Sequence, residues 1–318
     1  MNSKQVLIIS MILICFQNVL VAQEVKLNLE VKSGHLFSDW ELNNSTQTKV
    51  MLETGFPKIV ISKKYALTHL KGLVELEVAP ENTAITLWGK TDKTNVSYLI
   101  RDTLNFNGIE LFVDALVADV SDIESWKDRD IVFPLKDLPG ITEINIRDKY
   151  MLINKNREGL NESYEKLQVE SDENIKGLFL TTTLTVYDSL KIEENLTGNF
   201  LLDLGAPNAV FINRDLDQVE EFVMRSERIQ LKDTTQFKPN PRTKLAIIMP
   251  DEFQIENISC KEEFIVAMKM FGKNSRKYSG ILGNRFFSNF IVAFDFINNK
   301  LYMKPNSDKI EIKQTPNH

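Results

Sequence analysis

Histidine and cysteine are scarce in this chain of 318 residues, which has three of the first (His35, His69, His318) and two of the second (Cys15, Cys260). None of the histidines has a second ligand-type residue at metal spacing, so the pattern offers neither a metal centre nor a histidine base. His35 and His69 read as surface or strand-edge residues, and no cofactor is expected. Positive charge is also short: 38 Lys and Arg against 44 Asp and Glu leave a net charge of −6. No Lys/Arg block reverses that balance, which argues against a phosphate-binding surface and a nucleic-acid partner. Long apolar runs are missing too. Val6 to Phe16 spans 11 positions, whereas a bilayer-crossing helix needs about 20.

That N-terminal run reads as a processing signal. Lys4 supplies a positive n-region, Val6–Phe16 an apolar core, and Ala22 a small residue ahead of the polar "QEVK". Cleavage after Ala22 and export to the periplasm or beyond is the expectation, with an uncleaved N-terminal anchor as the alternative. Ile14 precedes Cys15 where a lipoprotein signal carries a small residue, so a lipid anchor is not expected. Cleavage leaves Cys260 as the single cysteine. An intramolecular disulfide is then excluded, and stability must come from core burial. Cys260 itself, beside an apolar run in "ENISCKEEFIVAM", reads as a small buried hydrophobe.

What the chain does contain is a repeat. "VMLETGFPKIVI" (50–61) and "FLLDLGAPNAVF" (200–211) share one shape: three apolar residues, an acid, a spacer, Gly, a spacer, Pro, then a second apolar run. The acids Glu53 and Asp203 stand 150 residues apart, as do Gly55 and Gly205, and Pro57 and Pro207. At the same offset "EINIRDKYMLINK" (143–155) lies over "AFDFINNKLYMKP" (293–305), and "DIVFPL" (130–135) over "GILGNR" (280–285). The chain therefore reads as a duplication. Its divisions are a signal peptide (1–22), a first lobe (23–156), a polar linker (157–174), a second lobe (175–306) and a tail (307–318).

Both lobes are mainly β in pattern. "VKLNLEV", "LFLTTTLTV", "FVDALVA" and "FIVAFDF" are short runs rich in Val, Ile, Phe and Thr, separated by turn signals such as Asn107-Gly108 and Asn298-Asn299. Helical stretches are few: "KKYALTHL", "DLDQVEEFVMR" and "NRFFSNF". Each acid ends an apolar run, a costly place for a charge unless it is paired or used.

An acid–X–Gly turn after an apolar strand, with a downstream "GILG" and a "FDF…KLYM" strand, resembles an aspartic peptidase lobe of the pepsin and retropepsin superfamily. The likeness is nearest to the two-lobed retropepsin-like proteins exported by bacteria. "LLDLGAP" and "SGILGNRFFSNFIVAFDFINNKLYMKP" carry it in the second lobe, and "MLETGFP" in the first. It implies two pseudo-symmetric β-barrel lobes with a few short helices, on one chain that acts as a monomer. It also implies an interlobe cleft for an extended peptide or protein substrate. Asp203 and Glu53 would be the catalytic pair, with Thr54, Gly55, Leu204 and Gly205 as supporting loops. The flap of that family would fall on "AITLWGKTDKTNVSYLI" (84–100), with Trp88 and Gly89 at its bend; read without the resemblance, this is an ordinary hairpin.

The departures from the family are specific. Glu53 stands for the usual Asp, and Leu204 for a Thr or Ser whose hydroxyl bonds across to the opposite loop. Thr54 keeps that hydroxyl in the first lobe. At an offset of 150, Asp130 and Phe133 stand where the second lobe has Gly280 and Gly283. Three readings stay open: a peptidase with a Glu/Asp dyad, a feeble or inactive member that holds peptides, and a structural or assembly protein that reuses the fold.

Overall fold

The computed structural model describes residues 24–312 apart from 44–45, 86–92, 122, 124–127, 161–162, 173–176, 188–192, 231–244, 262, 270–276 and 308–309. The expected signal peptide, the bend residues Trp88 and Gly89, and the last six residues of the tail lie outside the described residues. Among those described, no helix is long and apolar enough to cross a membrane.

The architecture is mainly β: two pseudo-symmetric lobes joined by a shared sheet. That six-stranded sheet runs in the order Val25–Asn28, Tyr150–Ile153, Thr142–Asn145, Phe290–Asp295, Lys300–Pro305, Glu165–Gln168. At its centre Glu143 pairs with Ala293, its own equivalent in the duplication. A residue that pairs antiparallel with its own copy must lie beside the twofold axis, so the axis passes between these two strands. The polar linker contributes two strands: Glu165–Gln168 closes one edge of the shared sheet, and Glu170–Asp172 pairs with Gly177–Phe179.

Each lobe adds a large sheet with one recurring arrangement. The strand leading to the acid (Thr46–Glu53 or Glu193–Asp203) and the strand leaving its loop (Ile59–Ser62 or Val210–Asn213) do not pair with each other. A later strand slots between them, Ile131–Pro134 in the first lobe and Gly280–Gly283 in the second. It runs parallel to the acid strand and antiparallel to the return strand. Every residue of both inserted strands is buried, as expected where apolar chain is covered on both faces.

The register corrects one expectation. Val50 pairs with Ile131, whereas its equivalent Phe200 pairs with Gly280. The inserted strands are therefore related by 149 residues, and the return strands (Ile59 to Val210) by 151. Ile131 and Pro134, rather than Asp130 and Phe133, stand where Gly280 and Gly283 stand. Those glycines matter because a Cβ on Gly283 would lie 2.1 Å from the Asn208 carbonyl oxygen and 2.6 Å from that of Ala206. The second lobe closes tightly behind its acid loop, and the first lobe is spaced to admit side chains.

Aromatic side chains fill both cores. Trp40 meets Phe106 and Phe133 with ring centroids 5.4 and 5.0 Å apart, and Phe286 packs on Phe287 and Phe290 at 5.3 and 5.2 Å. Three helical stretches fall on the expected segments: Lys63–Tyr65 running into the wider turn Ala66–Leu70, Asp217–Gln230, and Asn284–Phe287. The longest buries Val219, Phe222 and Val223 on one face. Cys260 is buried in the main apolar core, which runs through both lobes, and its thiol is pushed up by that burial.

Candidate active site

Each acid is the last residue of a strand whose closing positions are apolar and buried, and each is delivered into a loop at the junction of the lobes. Glu53 is 7% exposed and Asp203 3%. The loops cross over one another. A Cβ built on Gly205 would lie 2.0 Å from Glu53 Oε2, and one built on Gly55 would lie 2.8 Å from Asp203 Cγ. Each carboxyl group thus rests on the glycine of the opposite loop, and any side chain there would expel it. The longer Glu53 reaches further across than Asp203 does.

Thr54 holds the loops in this register. Its hydroxyl donates to the Leu202 carbonyl (2.8 Å) and accepts from the Leu204 N–H (2.9 Å), both on the other lobe. Thr54 and Leu204 are equivalents in the duplication, so the axis that passes between Glu143 and Ala293 also passes here. The mirror-image bond has no hydroxyl to make it. Leu204 is fully buried and belongs to the main apolar core. One half of the cross-lobe lock is polar, and hydrocarbon packing replaces the other.

Burial is the largest influence on Glu53 and raises its carboxyl well above the usual range. The Asp203 charge and a hydrogen bond between the two side chains add to that rise, and Arg129 opposes it. Asp203 is raised by burial as well. It is opposed by the Gly205 N–H, which donates to Asp203 Oδ1 at 2.9 Å, by Glu53 and by the Ala206 backbone. Two coupled carboxyls in a dry site bind one proton between them. The backbone donors favour the ionised form of Asp203.

Three further side chains lie at the acid loops, and the sequence pattern did not mark them. His35 is half-buried at the start of strand His35–Leu42 and is hydrogen-bonded to the Gly205 backbone. Asn284 donates through Nδ2 to the Gly34 carbonyl, tying the turn before His35 to the second lobe. Arg129 is 6% exposed, its guanidinium 5.3 Å from the Phe37 ring centroid. Burial pushes it down to about 10, against the charges of Glu53 and Asp128. Its signal in sequence was weak, since "DRD" between apolar runs reads as a polar turn. Trp88 and Gly89 lie outside the described residues. No group of three or more potential metal-ligating side chains occurs among the described residues.

No protein-family model matches the chain, and no curated protein does. Solved structures do. One is the crystal structure of an aspartic proteinase from Irpex lacteus, which matches 90% of this chain and 98% of its own with a TM-score of 0.54 at 9% identity. At that identity the likeness is one of fold: two lobes of the pepsin-like class.

Proposed function

We propose that this is an exported aspartic-peptidase-like protein that holds an extended peptide in its interlobe cleft, with Asp203 and Glu53 as one proton-sharing unit. It resembles in this the retropepsin-like proteins of bacteria. The observation that carries the reading is the crossed arrangement of carboxyls on opposite glycines. It brings two acids into a buried site on the axis of a duplicated fold, at a cost that stability alone does not explain.

The chemistry follows from the charge distribution. Asp203, ionised and held by backbone N–H groups, takes a proton from a water as that water attacks a peptide carbonyl. Glu53, protonated, donates to the carbonyl oxygen. Rate suffers from Glu53's extra methylene, because displacing a reacting group by about 1 Å costs on the order of 100-fold. It suffers again from the missing hydroxyl at Leu204. These two departures favour a second reading of the same cleft, in which peptides are held and released uncut.

A peptide-library digest scanned from acid to neutral pH tests the proposal. Little or no cleavage is expected from the parent protein. The Glu53→Asp, Leu204→Thr double variant should gain more than the product of the single gains, because both changes set the geometry of one pair. Asp203→Asn should abolish whatever cleavage there is. Robust cleavage by the parent that survives Asp203→Asn would place the chemistry elsewhere.

A further inference from the structure

The two acids are flanked by equivalent positions that carry opposite chemistry. Asp130 donates its N–H to Lys49 and accepts from the Ser62 N–H through its carbonyl; Ser279 does the same with Asn199 and Asn213. Lys49 and Asn199 are equivalents, so Asp130 matches Ser279, and the residues before them, Arg129 and Tyr278, match as well. Each lies against an aromatic ring on an equivalent strand position, since Phe37 pairs with Met51 and Phe179 with Leu201. The Arg129 guanidinium sits 5.3 Å from the Phe37 centroid, and the Tyr278 and Phe179 rings are 6.2 Å apart. Each also feels the acid of its own lobe. Arg129 is in the field of Glu53, and the Tyr278 hydroxyl is raised by burial and then by the Asp203 charge.

We infer that Arg129 and Tyr278 make the cleft chemically lopsided, so that it selects a peptide with an acidic side chain on the first-lobe side of the dyad and an apolar or aromatic one on the second-lobe side. The inference rests on the peptide-holding reading above. In an extended peptide, successive side chains point to opposite sides, so the two residues that flank the dyad meet one wall each. A guanidinium positioned over an aromatic ring loses less freedom on binding a carboxylate, which it takes in a fork of charge-assisted hydrogen bonds. In the second lobe Tyr278 packs on an apolar cluster of Phe179, Leu201, Ala206, Phe211 and Ile281. The first lobe has the equivalent cluster around Phe37, Met51, Val60 and Val132, so the difference between the two sides lies at Arg129 against Tyr278.

The test uses the full chain and peptides in which a secondary alcohol replaces the central carbonyl, with Glu, Gln, Leu or Lys at either flanking position. Fluorescence polarisation should show the Glu probe binding about tenfold tighter than its Gln counterpart, a charged hydrogen bond contributing roughly 1.5 kcal/mol. The preference should occur at one flanking position only. Arg129→Met should bring the Glu/Gln ratio to one, and Arg129→Lys should keep part of it. Tight binding of the Leu probes with no Glu preference in the parent would overturn the inference while leaving the cleft reading intact. A preference that survives Arg129→Met would overturn it too. If none of the probes bound, the cleft reading would fall and this inference with it.

Discussion

The two lobes answer one structural problem with different means. Each must bring a strand-ending acid to the axis and back it with an inserted strand. The second lobe does so with Gly280 and Gly283, packing backbone against backbone behind Asp203, and holds the carboxylate with the Gly205 N–H. The first lobe puts Ile131 and Pro134 in those places and sends a longer acid across to Gly205. Yet the first lobe supplies the hydroxyl that locks the loops together, at Thr54, where the second has Leu204. Neither lobe keeps every feature. The site is composite, with rigidity behind the acid from one half and the polar cross-lobe lock from the other.

The sharpest way to break this comparison is to place alanine at the equivalent position behind each acid. Gly283→Ala would drive a Cβ into two carbonyl oxygens that belong to the backbone and cannot swing aside. A loss of about 3 kcal/mol in unfolding free energy is expected, at the upper end for overpacking. Pro134→Ala, at the equivalent place in the first lobe, should cost no more than about 1 kcal/mol. Urea titration of the two variants side by side checks the contrast, and equal losses would contradict it.

A middle-sized effect is expected at the lock. Thr54→Val keeps the shape and removes both cross-lobe hydrogen bonds, leaving the Leu202 carbonyl and the Leu204 N–H without that partner in a buried site. The expected cost is about 2 kcal/mol, read from the same titration. Leu204→Val, which trims apolar packing at the matching position without removing a polar group, should cost less.

The smallest effect depends on pH. Both dyad carboxyls are raised in the folded protein, chiefly by burial. The folded state therefore binds protons more tightly than the unfolded chain. Stability from the pair is fully present below the ordinary carboxylate range and declines as pH climbs toward the raised folded values. Glu53→Gln removes one of these two buried, raised carboxyls. It should lift the melting temperature near neutral pH by about 2–4 °C, corresponding to roughly 1 kcal/mol. In acid the gain should be less. Scanning calorimetry at two pH values decides, and a gain confined to acid would reverse the sign.

Much of the contrast between the lobes was legible beforehand, and its errors have a physical cause. The offset of 150 holds at the acids, and again in the shared sheet, where Asn145 pairs with Tyr150 as Asp295 pairs with Lys300. Turn residues and an acid mark those places. It slips by one residue in opposite directions at the return and inserted strands, where Val60 corresponds to Phe211 rather than Val210. The inserted strands are buried on both faces, so no alternation of apolar and polar residues marks their register. Arg129 was hidden for a related reason. A charge beside a turn signals exposure, and only the packing of Phe37 and the acid loops brings it indoors. Thr54 was legible because it stands beside an acid whose role was already suspected.

Whether Glu53 and Asp203 act as one unit can be measured directly, by following the side-chain carboxyl of Glu53 in carbon-labelled protein by NMR across a pH titration. The account predicts that Glu53 titrates well above the exposed glutamates, and that Asp203→Asn moves its midpoint down because the charge across the axis has gone. Burial should still hold it above the exposed groups. A Glu53 that titrates with the exposed glutamates, and does so identically in Asp203→Asn, would show that the two acids do not share a proton and would contradict the account.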